Sequence, residues 1–149
     1  MRVQLQLDVS AEAFFTLLTT SVCNDIKQST QKNISASHLH GFQYEKRIRT
    51  KLGVDSKVQV KIQECKIPTI YQAEVMTKQG SNTFHYELSP LTDSSCHVSY
   101  EESFAGAKKY DQWNFWLFSR FFKKSGQKRL INMLRLMEAQ ILQEQGATV

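Results

Sequence analysis

The sequence predicts a single α+β domain spanning residues 1–149: one strand, two short helices, a long antiparallel meander and a closing helix. Three observations predict it. Residues 2–9 alternate apolar and polar, a period of two holds for about sixty residues from Gly41, and the chain from about Asp111 to Glu144 reads as helix. At 149 residues the chain fits one domain, and such a length can bury roughly two-thirds of its unfolded surface.

The first strand places Val3, Leu5, Leu7 and Val9 on one face and Arg2, Gln4, Gln6 and Asp8 on the other. Ser10 then stands as an N-cap, and "AEAFFTLLTTSV" carries Phe14, Phe15, Leu17, Leu18 and Val22 at helical spacing. Asn24 or Asp25 is placed to cap a second short helix, ending before the polar "SASHLHG". Strands are expected at 42–50, 57–66, 70–78, 83–89 and 95–104. They are joined by short connections rich in turn residues, which make neighbours antiparallel. Parity assigns the inner face to Phe42, Tyr44, Ile48; Val58, Val60, Ile62; Tyr71, Ala73, Val75; Phe84, Tyr86, Leu88; and Cys96, Val98, Tyr100, Phe104. The other face carries charged and amide side chains, so one side meets water and the other a core.

The closing helix is amphipathic in its second half, with Leu130, Leu134, Met137 and Ile141 at steps of four, three and four. An interruption is expected at Ser125-Gly126, which could serve as a hinge. The preceding segment is apolar all round, since Trp113, Phe115, Trp116, Leu117, Phe118, Phe121 and Phe122 point in nearly every direction. Such a helix must be covered by its own fold, a partner, a ligand or a lipid surface.

Composition narrows the function classes. The chain is 41% hydrophobic and 22% charged, an ordinary globular balance. The net charge of +5 is concentrated in "KRIRTK" (46–51) and in Lys123–Arg129. Such patches attract phosphates on nucleic acid or lipid, or serve simply as solvated faces. Nucleic acid is argued against, because 19 cations nearly balance 14 acids and form no continuous groove in sequence. Three cysteines without a CxxC pair argue against a disulfide framework and a zinc site. No signal peptide and no apolar run of about 20 residues is present, so a cytoplasmic protein is expected. No catalytic triad, phosphate-binding glycine loop or nucleotide fingerprint occurs, and no cofactor or metal is called for.

The element order, the opening "VQLQLDVSAEAFFTLL" and the closing "RLINMLRLMEAQIL" resemble the START-like (SRPBCC) superfamily. This is the helix-grip fold of lipid-transfer domains, polyketide cyclases and birch-pollen-type allergens. Within it the chain looks closest to an uncharacterised group of small Firmicutes proteins. The resemblance covers the whole chain and specifies a fold rather than an activity. It implies a curved antiparallel sheet of six or seven strands wrapped around the C-terminal helix, the first strand paired with the last, and a cavity between sheet and helix. It also implies that the aromatic segment sits at the cavity mouth.

The expected function is therefore non-enzymatic binding of a small hydrophobic or amphipathic molecule, with Tyr44, Tyr71, Tyr86 and Tyr100 orienting it and Trp113, Trp116 and Phe118 at the mouth. Whether that molecule is a lipid, an isoprenoid or an aromatic metabolite is left open. The alternative is an interaction module whose segment 113–129 docks on a membrane surface or a protein partner. Lys46, Glu64 and Glu102 fall at inward parity. A tight 51–56 turn would set Lys46 diagonal to Glu64 within ion-pair reach, and would leave Glu64 and Glu102 too far apart for acid–base work. Glu102 is the one carboxylate expected in the ligand site. His85 and His97 are expected to lie diagonally on the outer face of adjacent strands, short of the ligand number that zinc requires.

Overall fold

A computed structural model describes residues 1–49, 55–106 and 109–147; the side chains at 49, 55, 109–125 and 147 are not among those described. In chain order the elements are β1 (Arg2–Leu7), α1 (Ala11–Thr30), a 3-10 turn (Ala36–His38), β2 (Gln43–Arg49), β3 (Asp55–Lys66), β4 (Ile70–Thr77), β5 (Gly80–Thr92), β6 (Ser95–Gly106) and α2 (Lys109–Ala147). The strands form one antiparallel sheet in the order β1-β6-β5-β4-β3-β2, so the first strand pairs with the last.

One helix, not two, follows β1. Ser10 caps it as expected, its hydroxyl accepting from the Ala13 amide at 3.0 Å. Asn24 and Asp25 do not start a new helix. The apolar stripe through Phe14, Leu18 and Val22 continues to fully buried Ile26, so breaking the helix there would expose its core face. The helix ends at Thr30, where Gln31 adopts the left-handed conformation and its amide caps the Lys27 carbonyl.

The expected inner face is the buried one. Tyr44, Val58, Val60, Ile62, Tyr71, Ala73, Tyr86, Leu88, Cys96, Val98 and Tyr100 join Val3, Leu7 and Val9 in the core. Strand lengths differ from the expected ones at two turns. The β4–β5 connection is only Lys78-Gln79, because Gly80 takes φ +147°, and there a Cβ would lie 2.3 Å from the Ala105 carbonyl oxygen. β5 also runs past Pro90, with the register shift between Pro90 and Thr92 absorbing the residue that cannot donate.

α2 runs through Ser125-Gly126 without interruption. Gly126 is a seat, not a hinge: a Cβ there would meet the Met1 side chain, with Sδ at 2.8 Å. Beyond it Leu130 and Leu134 are fully buried and Ile141 nearly so, as the spacing predicts. Among the described residues no helix is long and apolar enough to cross a membrane.

Candidate functional site

The inner face carries a ladder of phenols. Tyr71 on β4 lies opposite Tyr86 on β5, and Tyr86 lies opposite Tyr100 on β6. Ring centroids are 6.2 Å apart for Tyr71–Tyr86 and 4.5 Å for Tyr86–Tyr100, both tilted. Phe14 of α1 packs beneath, 6.1 Å from Tyr86. Side chains directly opposite across antiparallel strands are close enough for such contacts.

Each end of the inner face has a polar outlet. Towards β1, the Tyr100 hydroxyl donates to Glu102 Oε1 at 2.8 Å, and Glu102 Oε2 accepts from Arg129 Nη2 of α2 at 3.1 Å. Towards β2, the Tyr44 hydroxyl donates to Asp25 Oδ2 at 2.5 Å, and Lys46 Nζ bridges both Asp25 oxygens at 3.0 and 3.1 Å. Burial pushes the ionisation of Tyr44, Tyr71, Tyr86 and Tyr100 well above the ordinary phenol value. Asp25 adds to this at Tyr44, and Tyr86 and Glu102 add to it at Tyr100. Among the described residues, Tyr71 donates its hydroxyl to no partner.

The structure brings together Tyr71, Tyr86, Tyr100 and Glu102, and sets Tyr44 apart with Asp25. It does not form the expected Lys46–Glu64 pair. Lys46 lies opposite Val58, far along β3 from Glu64, and a register shift between Ile62 and Glu64 reverses the parity of β3. Glu64 then faces the same side as its partner Gln72, while Cys65, opposite Tyr71, takes the inward place. Asp25 is the residue the sequence reading missed as a site member. Its signal was a carboxylate seven residues after Leu18, on the apolar stripe of α1.

The diagonal His85–His97 placement is also corrected. His85 lies opposite Glu101 and His97 opposite Ser89, because the β5–β6 turn sits at 93–94. His85 Nδ1 instead bonds Gln72 Oε1 at 2.9 Å. Among the described residues no three metal-ligating side chains cluster. The side chains of Trp113, Trp116 and Phe118, like all those of 113–125 in segment 113–129, lie outside the described ones.

A second feature lies at the β2 edge. An open cleft of about 780 Å³ runs between α1 and the strand, lined by Asp25, Ser29, Thr30 and the four consecutive residues Glu45–Ile48.

The family model described as a domain of unknown function, DUF3284, matches residues 1–123. The chain belongs to the DUF3284 family. No curated protein matches it. Solved structures place this DUF3284 member in the START-like fold. A START superfamily protein from Mycobacterium smegmatis is 9% identical with a TM-score of 0.61, over 96% of this chain and 97% of that one. Ara h 8.0201 is 11% identical with a TM-score of 0.59, over 96% and 97%. A conserved protein from Geobacillus kaustophilus is 14% identical with a TM-score of 0.57, over 95% and 94%. At these identities the likeness concerns the fold alone.

Proposed function

We propose that this DUF3284 protein binds a small hydrophobic or amphipathic molecule between the inner face of the sheet and α2, without catalysing a reaction on it. The observation that carries the reading is the in-register ladder Tyr71–Tyr86–Tyr100 ending on Glu102. Rings supply apolar contact, and a phenol supplies a hydroxyl that a ligand oxygen can meet. Tyr71, with no described acceptor, is the hydroxyl best placed for that role. Trp113, Trp116 and Phe118 would close the mouth.

The test is a titration of the full chain with a fluorescent fatty acid, followed by tryptophan emission. Saturation at about one ligand per chain is expected, since pockets of this kind are few per protein. Binding should depend little on salt, and Tyr71→Phe should weaken it. Silence would overturn the reading. A response only to anionic vesicles, reversed by salt, would replace it with membrane docking of segment 113–129.

A further inference from the structure

The cleft beside β2 has a property the ligand reading does not use. Four consecutive residues of one strand line it, and consecutive residues point to opposite faces. The cleft therefore reaches both faces of β2, with Lys57 of β3, opposite Arg47, also in its lining. Among the described residues β2 pairs only with β3, as the last strand of the sheet. The Ile62 amide donates to the Phe42 carbonyl at 2.9 Å. Ladder alternation then gives the even-numbered residues of β2 to β3 and turns the N–H and C=O groups of Gln43, Glu45 and Arg47 outward. An open edge of this kind is a template for one more strand.

We propose that the added strand is β2 of a second copy of this chain, paired antiparallel about a two-fold axis at Lys46. Charge favours this register. With Lys46 facing its own copy, Glu45 of each chain lies opposite Arg47 of the other, giving two opposite-charge pairs on the outer face. On the inner face Tyr44 lies opposite Ile48 in both halves. Moving the axis by one residue either way, a slide of two residues, sets Glu45 against Glu45 or Arg47 against Arg47, which like-charge repulsion disfavours. Arg47 is exposed and forms no ion pair with the described residues, so it is free to do this. Glu45 has two long contacts, to Lys57 at 3.6 Å and from Gln59 Nε2 at 3.4 Å, and the Lys57 and Glu45 side chains are about half or more exposed. An inward lysine on an edge strand ordinarily deters pairing. Here each ammonium is bound by both oxygens of Asp25, so the two lysines meet as neutralised pairs.

The test uses sedimentation velocity of the full chain across a wide concentration range. The mass should rise from 17.2 kDa towards twice that value. Glu45→Arg and Arg47→Glu should each weaken self-association at least tenfold, with far-UV circular dichroism unchanged. Mixed one to one, the two variants should form a heterodimer, because each supplies the charge the other lacks at both pairs. The double variant should self-associate like the parent. A monomer at every concentration overturns the proposal. So does a dimer indifferent to both swaps, or a pair of variants that fail to associate with each other.

Discussion

The two edges of this sheet are treated differently. At the β1 edge, α2 reaches the end of the strand and satisfies two outward backbone groups there: Glu138 Oε2 accepts from the Asp8 amide at 2.6 Å, and Arg135 Nη1 donates to the Gln6 carbonyl at 3.2 Å. Arg135 and Glu138 also pair with each other at 3.2 Å. At the β2 edge, α1 meets the strand through Asp25, bonded to Tyr44 and Lys46, and a cleft lies between helix and strand. A sheet edge is a liability unless covered, charged or used. One edge is covered by the chain's own helix; the other is charged and available. The edge that needs no partner is the one on which the fold depends.

That dependence gives the largest expected effect. Leu134 is fully buried where α2 meets the sheet. Leu134→Asp places an unpaired carboxylate there, at a cost of several kcal/mol, enough to abolish cooperative melting in a domain of ordinary stability. A variant that melts like the parent would show that α2 does not hold the β1 edge.

Next in size is an alkaline effect on the phenols that span the two edges. Their folded ionisation lies above the unfolded value near 10, so the stabilisation is fully present below that pH and is lost as pH rises through it. Each such phenol should remove about 1.4 kcal/mol per pH unit above the unfolded value. Tyr100→Phe should make the decline of stability shallower by one such step, read from urea midpoints across alkaline pH. An unchanged slope would put Tyr100 in water. Cys96, pushed up to about 11 by burial and then by Glu138 and Glu12, adds to the same decline from near 9 upward.

Much of this was legible in the sequence because a half-buried sheet writes its own parity. Alternating residues with short turns fixed which side chains meet the core and that neighbouring strands run antiparallel. The losses have local causes. A single extra residue at Gln63 inverts the parity that follows it, so Glu64, expected inward, gives that place to Cys65. Asn24 and Asp25 have cap chemistry, and only the continuation of the stripe to Ile26 shows that the helix carries on. The Asp25–Lys46 pair joins a helix to a strand, and no local period reports it. Nor does a sequence announce which strand is an edge, since that follows from the order of the finished sheet.

A paired measurement sharpens the contrast between edges. Glu138→Gln weakens a charge-assisted bond to the Asp8 amide and the Arg135 pair at a side chain only 12% exposed. A loss of about 1–2 kcal/mol and faster exchange of the Asp8 amide are expected. Asp25→Asn removes the partner of Lys46 but leaves Tyr44 an acceptor. With side chains 29% and 32% exposed, solvent screens much of that pair, and about 1 kcal/mol or less is expected. Equal costs would mean that the two edges are held alike.

The smallest effect concerns Gly126, where α2 passes the start of β1. Alanine in a helix interior gains about 1 kcal/mol over glycine from propensity. Its Cβ would approach Met1 Cε and Sδ, the far end of a flexible side chain that can swing aside. Met1 is also anchored by backbone, its ammonium donating to the Glu102 carbonyl at 2.7 Å and its own carbonyl accepting from the Glu102 amide at 2.8 Å. The strand therefore keeps its place while the side chain moves, and Gly126→Ala should leave the melting temperature unchanged or slightly raised. A hinge at 125–126 would behave otherwise: stiffening it would slow ligand uptake at unchanged stability. Stopped-flow mixing with the fluorescent fatty acid separates the two, and equal association rates for parent and variant are the expected result.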